Sequence, residues 1–329
     1  MPQYDLVGIG NALVDVVAQA DDAFVADSGF AKGSMTLVDA AAADALYRRM
    51  PAGIEASGGS CANTMAGFAS LGGRGAYVGK VSDDQFGGVF RHDMRAIGCD
   101  FDTPASNEGP PTGRCLVLVT PDAQRTMCTH LGAACTLAPG DLDRAVLQNA
   151  KVVYMEGYLF DQPAAQQAFA EAAEIAHAAG GEVSVTLSDG FCVDRHRDAF
   201  RRLVEDHIDI LFANEVEIRS LYQVGSFDEA LDRVRRHCRV ACLTRSEKGA
   251  VVLRDGEMHA VPAEPVATVV DTTGAGDQFA AGLLYGYTRG MDLGRSARIG
   301  AIAAAEVIQH YGARPAADLR ALVAEKLGA

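Results

Sequence analysis

Short apolar runs alternate along most of the chain with longer stretches of helical composition. The apolar runs that suit buried strands are residues 6–10, 76–79, 151–155, 182–187, 208–212 and 240–244. The clearest helical stretch, residues 163–179, begins at Pro163 and stops at Gly180-Gly181. Such alternation predicts an α/β fold, with a mostly parallel sheet covered by helices on both faces. Ligands bind such sheets at the carboxyl ends of the strands.

Two regions interrupt this alternation, at about residues 16–56 and 100–135. Both are rich in Gly, Pro, Asp and Thr, and both contain β-like pieces, at residues 34–38 and 114–119. The composition by itself is compatible with surface loops and with a second, smaller sheet.

Composition limits the classes of protein to which the chain can belong. Its 329 residues are 49% hydrophobic, enough for one large core and a smaller appendage. A formal net charge of −14 argues against a nucleic-acid partner. No apolar run is long enough to span a membrane, and the first residues lack the basic segment of a signal peptide. The eight cysteines show no disulfide spacing, so we expect a reduced, cytoplasmic protein without a membrane partner.

The segment with the most chemical content runs from Asp271 to Asp277, with the sequence DTTGAGD, and precedes an apolar helical run. Small residues at a helix start let backbone amides approach an anion such as phosphate. A carboxylate beside that anion would repel it, so Asp277 is better suited to accept a proton. However, an Asp at a helix start is also a common N-cap. The segment alone favours neither role.

The same segment resembles the C-terminal signature of the ribokinase-like (PfkB) carbohydrate kinases. Residues 58–64 and 71–73 resemble the N-terminal signature of that family, and residues 79–87 and 214–217 also fit, although Ser82 stands where many members have Gly. The blocks occur in the expected order and span nearly the whole chain. The resemblance implies a three-layer α/β/α fold with a small β-sheet lid. The lid would comprise about residues 16–56 and 100–135, and the core domain residues 1–15, 57–99 and 136–329.

The resemblance also implies an enzyme that transfers the γ-phosphoryl group of ATP to an alcohol. Asp277 would act as the base, while the amides of Gly274, Ala275 and Gly276 would stabilise charge on the phosphoryl oxygens. Residues around the sixth strand would bind the nucleotide, among them Thr244, Ser246 and Gly249. Many members have Gly where this chain has Ser246, which leaves close backbone approach to the nucleotide as an open question.

Further residues are candidates for phosphate and metal binding. Asn214 and Glu217 lie one helical turn apart and suit hydrated Mg²⁺, although the same pair also suits a capping box. The resemblance favours the Mg²⁺ and phosphate role for both. Arg125, in the lid segment, is either a phosphate ligand or a plain surface arginine. By analogy with the family, Asp271 and neighbouring carbonyls are candidates for K⁺ binding.

The acceptor site is expected at the end of the first strand. A carboxylate and an amide there, with an open glycine backbone, suit a vicinal diol such as that of ribose; the residues are Asp15, Asn11, Asn63, Gly58 and Gly59. Three residues that follow other strands, Tyr158, Leu159 and Phe191, would form walls for a flat purine. For Leu159, a place in the core is an equally good interpretation.

Within the family, the motifs that contain Asn11, Asp15 and Asn63 look more like the adenosine-phosphorylating members than the ribose or fructose kinases. We therefore predict ATP-dependent phosphorylation of the 5′-hydroxyl of a purine nucleoside, with adenosine first. The alternatives are a sugar kinase, an inosine or guanosine kinase, and a non-catalytic nucleoside sensor. An incomplete glycine fingerprint disfavours an NAD-binding oxidoreductase, and no P-loop motif occurs. Monomer and homodimer both remain open.

Overall fold

The structure is a computed structural model that describes residues 2–122 and 124–328. Its strands in that range are β1 (Tyr4–Ile9), β2 (Leu13–Gln19), β3 (Met35–Leu37), β4 (Gly53–Gly58), β5 (Gly75–Val78), β6 (Cys99–Asp100), β7 (Gly113–Val119), β8 (Arg125–His130), β9 (Ala150–Glu156), β10 (Glu182–Thr186), β11 (Ile210–Asn214), β12 (Val240–Thr244), β13 (Ala250–Arg254) and β14 (Glu257–Val261). Its α-helices are α1 (Asp22–Asp27), α2 (Ala40–Tyr47), α3 (Ser60–Ser70), α4 (Gln85–Ala96), α5 (Arg144–Gln148), α6 (Pro163–Ala178), α7 (Gly190–His207), α8 (Glu215–Tyr222), α9 (Phe227–Val234), α10 (Ala275–Thr288), α11 (Leu293–Val307) and α12 (Leu319–Leu327).

The central sheet has the strand order β14-β13-β12-β11-β10-β9-β1-β5-β6. The strands from β12 to β6 are parallel, whereas β13 and β14 add to the β12 edge as an antiparallel hairpin. The six strands predicted from the sequence correspond to β1, β5 and β9–β12. The hairpin was not predicted, although Asp255-Gly256 supplies the two positive φ angles, 49° and 88°, that a two-residue hairpin turn requires.

Helices cover both faces of this sheet, as the alternation of the sequence predicts. On one face, Leu147, Phe169, Phe200, Ile218 and Leu231 bring α5 to α9 into one apolar cluster with the strands. On the other face, a second cluster joins the strands to residues of α3, α4, α10 and α11. The predicted three-layer α/β/α fold is confirmed.

The two irregular regions form a second sheet, with the strand order β3-β8-β7-β2-β4. An apolar cluster that includes Val16, Leu46 and Leu116 packs α1 and α2 against one face of it. This lid sheet extends beyond the predicted segment, because β2 begins at Leu13 and β4 ends at Gly58. Asp15 therefore lies on a lid strand, within a range that the sequence analysis assigns to the core domain.

Two further observations concern the surface and the cysteines. Across the described residues, no helix has the length and the apolar character that crossing a bilayer demands. All eight cysteines are free, and all except the partly exposed Cys135 are buried. Their burial agrees with the role of small apolar residues rather than of disulfide partners.

Candidate active site

Helix α10 begins without a side-chain cap. Gly274 is its N-cap residue, with a φ of +80°, and no side chain binds the first amides. A Cβ atom at this position would lie 2.6 Å from the carbonyl oxygen of Ala313, so both the backbone conformation and the space require glycine. The first turn of α10, which contains Ala275 and Gly276, is therefore available to an anion.

The carboxylate of Asp277, in the first turn of α10, is bound by α3 rather than by its own helix. Ser60 Oγ donates to Oδ1 at 2.7 Å, and Asn63 Nδ2 donates to Oδ2 at 3.3 Å. Burial raises the pKa of Asp277 to about 6, although these two hydrogen bonds act in the opposite direction. The N-cap residue of α10 is Gly274, so Asp277 is not the cap of this helix. A carboxylate that titrates near pH 6 suits proton transfer at neutral pH.

Asp15 lies against Gly58, and Asn11 lies against Gly59, at the start of α3. A Cβ atom at Gly58 would come within 2.3 Å of the Asp15 carboxyl group, and one at Gly59 would come within 2.3 Å of the Asn11 carbonyl oxygen. Burial raises the pKa of Asp15 to about 6; the nearby charges of Arg314 and Arg125 lower it, and that of Asp277 raises it. The folded chain therefore brings the predicted acceptor residues together beside the predicted base.

The side chain of Asn11 is held by Glu156, a residue that the sequence analysis missed. Asn11 Nδ2 donates to Glu156 Oε1 at 2.6 Å, and the amides of Asn11 and Cys61 donate to Oε2 at 3.3 and 2.9 Å. Desolvation raises the pKa of Glu156 to about 7. Its signal in the sequence is an acidic residue that ends an otherwise apolar strand, directly before Gly157.

Arg125 joins the lid to the anion-binding segment. Its Nη1 donates to Asp271 Oδ2 at 2.6 Å, and the two side chains are only 10% and 4% exposed. Asp271 also accepts hydrogen bonds from the amides of Thr273 and Gly312. Arg125 is thus a largely buried, paired arginine, and the alternative of a plain surface arginine is wrong. The Asp271 carboxylate already has a cationic partner, so its predicted contribution to K⁺ binding would compete with Arg125.

The candidates for metal and nucleotide binding lie side by side on the carboxyl edge of the central sheet. Asn214 and Thr244 are register partners at the ends of β11 and β12. Asn214 and Glu217 form a complete capping box at the start of α8, with Asn214 N donating to Glu217 Oε2 at 2.9 Å. Desolvation raises the pKa of Glu217 to about 7. Each oxygen of the Glu217 carboxylate retains a lone pair, which is compatible with contact to Mg²⁺ through water.

The turn after β12 keeps the glycine-like backbone despite its serine. Ser246 has a φ of +52°, the left-handed conformation that glycine adopts most easily. Gly249 has a φ of +83°, and a Cβ atom there would lie 2.1 Å from the Val261 carbonyl oxygen. The serine therefore does not change the course of the turn, but it adds a hydroxyl group to it.

The three predicted wall residues have different surroundings. Leu159 is 2% exposed and belongs to the hydrophobic core, so the core interpretation fits it and the pocket interpretation does not. Tyr158 is partly buried, and its hydroxyl donates to the Ser188 carbonyl oxygen at 3.4 Å. Phe191, in the first turn of α7, is 79% exposed and makes no part of the core.

Two other residues at this site were missed from the sequence. Gln278 Nε2 donates at 2.9 Å both to the Asn63 carbonyl oxygen and to that of Ala313, which ties α3, α10 and the loop after α11 together. Arg314 Nε donates to Asn63 Oδ1 at 3.4 Å. Their signals in the sequence are a glutamine inside an apolar helical run and an arginine between Ala313 and Pro315.

An uncapped helix start beside a partly buried, titratable carboxylate supplies what phosphoryl transfer to a hydroxyl needs. The fold and the site together define an α/β small-molecule kinase. Comparison with family profiles identifies the particular family. The chain belongs to the pfkB family carbohydrate kinases, whose profile matches residues 36–319. It is accordingly a phosphotransferase that uses a hydroxyl acceptor, with ATP as the donor that this kinase family implies.

The similar proteins are named as kinases of different acceptors. A probable sugar kinase from Rhizobium etli is 47% identical, with a TM-score of 0.92 over 100% of this chain and 99% of its own. The adenosine kinase from Sinorhizobium meliloti is 48% identical, with a TM-score of 0.91 over 99% of this chain and 100% of its own. The adenosine kinase of Saccharomyces cerevisiae is 27% identical over 93% of this chain and 95% of its own length.

Proposed function

We propose that the protein transfers the γ-phosphoryl group of ATP to the 5′-hydroxyl of a purine nucleoside, with adenosine as the first choice. The observation that carries this proposal is the position of Asp277, bound by Ser60 and Asn63 next to an uncapped helix start. The similarity to two adenosine kinases supports the choice of acceptor.

Asp15 and the glycine pair would hold the acceptor. The Asp15 carboxylate accepts hydrogen bonds from vicinal hydroxyls, while Gly58 and Gly59 allow the sugar to lie close to the backbone. Asn11 would bind the same sugar, with its amide held in place by Glu156. This arrangement would point the free 5′-hydroxyl at Asp277.

Asp277 would take the proton of that hydroxyl as the oxygen attacks the γ-phosphorus. The bond from phosphorus to the bridging oxygen breaks, and ADP leaves. Backbone amides at the start of α10 would stabilise the negative charge on the phosphoryl oxygens. A positioned base of this kind contributes roughly 10²–10⁴-fold to the rate.

Arg125 would exchange partners during the cycle. In this structure it donates to Asp271. A nucleotide phosphate at the start of α10 would offer a second anion to the same guanidinium. Arg125 would thus carry the lid onto the nucleotide and exclude water, which otherwise competes with the acceptor hydroxyl.

Mg²⁺ would be held through water by Glu217 and Asn214, and it supplies charge neutralisation of the phosphates when bound. Thr244, Ser246 and Gly249 would lie along the nucleotide. Cytoplasmic localisation and the absence of nucleic-acid and membrane partners belong to the same proposal. K⁺ binding at Asp271 is the part of it that the experiment with and without K⁺ tests.

A sugar kinase is the second candidate. Leu159 lies in the core and Phe191 is 79% exposed, so these two residues form no closed wall for a base. The similarity to the Rhizobium etli protein points in the same direction.

The deciding experiment is ADP release with Mg-ATP, measured on adenosine, inosine, guanosine, cytidine, ribose and fructose, each with and without K⁺. We expect turnover with adenosine. Turnover confined to ribose or fructose would replace the proposal with the sugar-kinase candidate. Binding of nucleoside without turnover of any acceptor would favour a sensor.

A further inference from the structure

Arg314 lies in the loop after α11, outside the motifs that carry the family resemblance. Its Nε donates to Asn63 Oδ1 at 3.4 Å, and its Nη2 lies 3.9 Å from the sulfur of Met94. The polar contacts of this guanidinium are thus with an amide and a thioether rather than with a carboxylate. An arginine that is partly buried in this way needs a reason, because desolvating a charge costs free energy.

The backbone on both sides of Arg314 is held in place by hydrogen bonds. Before it, the amide of Gly312 donates to Asp271 at 3.1 Å, and the carbonyl of Ala313 accepts from Gln278 at 2.9 Å. After it, Glu306 Oε1 accepts from the amides of Ala316 and Ala317 at 3.0 and 2.8 Å. The position of the guanidinium is therefore built into the fold, which is what a preorganised site requires.

The first consequence of this position concerns the side chain of Asn63. A guanidinium has donors and no acceptor, so only the amide oxygen of Asn63 can face Arg314. The NH₂ group of Asn63 must then face Asp277, to which it donates at 3.3 Å. Arg314 thus selects the orientation in which Asn63 binds the base instead of presenting an oxygen to it.

The second consequence concerns charge. The positive charge of Arg314 lowers the pKa of the Asp15 carboxyl group, against the larger effect of burial. The charged or titratable groups that act on Asp15 are Arg314, Arg125, Asp277 and Cys115. Those that act on Arg314 are Asp15, Asp93, Tyr77 and Cys99.

We infer that Arg314 is a positioning residue of this site, which fixes the Asn63 amide against Asp277 and places a positive charge beside the acceptor site. The inference rests on the proposed function, because it assigns a role in the same acceptor site.

The test compares Arg314→Gln and Arg314→Lys with the unchanged protein, using adenosine and Mg-ATP from pH 5 to pH 8. The control is Arg320→Gln, which removes an exposed arginine six residues away on α12. For Arg314→Gln we expect kcat to fall by about tenfold to a hundredfold, as misplacement of a catalytic group does. We also expect the acid limb of kcat/KM to move up by about one pH unit, because an attractive positive charge is gone.

Arg314→Lys separates the two roles and guards against misfolding of the Gln variant. A lysine restores the charge but not the planar Nε–H donor, so the acid limb should return towards its original position while kcat stays low. An Arg314→Gln protein with unchanged kcat and an unchanged acid limb would overturn the inference. So would a rise in KM for adenosine alone, because that would make Arg314 a plain substrate contact.

If the proposed function is wrong, the result differs from the one that would overturn the role of Arg314. In that case the unchanged protein does not phosphorylate adenosine, and the same variants are compared on whichever of ribose or fructose it accepts. A loss of kcat and a shift of the acid limb on that sugar would still support the role of Arg314.

Discussion

The guanidinium of Arg125, on strand β8 of the lid sheet, donates to the carboxylate of Asp271, in the loop before α10, at 2.6 Å. The two residues are 146 positions apart in the sequence, and both side chains are nearly inaccessible to solvent. This ion pair connects the lid directly to the segment that would bind phosphate. Lid position and nucleotide binding are therefore expected to be coupled through Arg125.

We expect Arg125→Gln to raise KM for ATP and to lower kcat/KM by roughly tenfold to a hundredfold, because a charged ligand of the phosphates and the lid contact are both lost. Steady-state kinetics at varied ATP concentration measure this. Lys32→Gln, on the exposed side of the lid, is the matched control and should leave KM for ATP unchanged. Equal effects of the two variants would show that Arg125 has no special role.

Asp277→Asn should reduce kcat by roughly 10²-fold or more and leave nucleoside binding within a few-fold of its original value, because an amide cannot accept the proton. Single-turnover kinetics and calorimetric binding of adenosine measure the two quantities. Asp292→Asn is the control, since Asp292 only caps α11 and Asn caps a helix equally well. Near-normal kcat in the Asp277 variant would remove Asp277 as the base.

The pKa of Asp277, raised from 3.8 to about 6, also predicts two pH dependences. Activity should fall as the pH drops below about 6, since the base must be unprotonated. The folded chain binds this proton more tightly than the unfolded chain, so stability contributed by the group is lost as the pH rises from about 4 to about 6.

Asp277→Asn should therefore stabilise the fold by about 1–2 kcal/mol at pH 8, with the gain disappearing below pH 4. Urea unfolding of the variant and of the unchanged protein at pH 4, 6 and 8 measures the difference. A gain that is the same at all three values would contradict the raised pKa.

Glu156→Gln should leave at least one of three converging donors without an acceptor, because an amide offers them only one oxygen where the carboxylate offers two. It should also raise KM for the acceptor, since Asn11 loses its support. Glu174→Gln, on the exposed face of α6, is the control for the same chemical change. Chemical denaturation and acceptor kinetics together check the result, and an unchanged KM would separate Glu156 from acceptor binding.

Ser246→Val should destabilise the turn after β12 by roughly 1–2 kcal/mol and raise KM for ATP, because a β-branched side chain adopts a positive φ poorly. Ser246→Gly removes the hydroxyl while it keeps the conformation, so its stability should stay within about 1 kcal/mol. If the Gly variant also shows a higher KM for ATP, the hydroxyl itself binds the nucleotide. An unchanged KM in both variants would place the turn away from the nucleotide.

Much of the fold was predictable because hydrophobic periodicity is a local property. The strands β1, β5 and β9–β12 and the helix α6 lie within a few residues of their predicted positions. The hairpin β13–β14 carries an equally local signal, Asp255-Gly256, so the sequence is sufficient to predict it. The left-handed conformation of Gly274 is also a local property, since it depends on the backbone of that residue itself.

What the tertiary structure alone decided is which side chains meet. Asn11 contacts Glu156 across 145 positions and Arg314 contacts Asn63 across 251, and no pattern within a short window encodes either contact. Local patterns also left Leu159 between core and pocket, and Asp277 between cap and base. Burial settled the first, since Leu159 packs into the core, and the position of Gly274 as the N-cap residue of α10 excluded the cap for Asp277. The sequence determines the helices and strands, because conformational preferences act between near neighbours. Strand order and packing determine the site, because they bring together residues that are far apart in the chain.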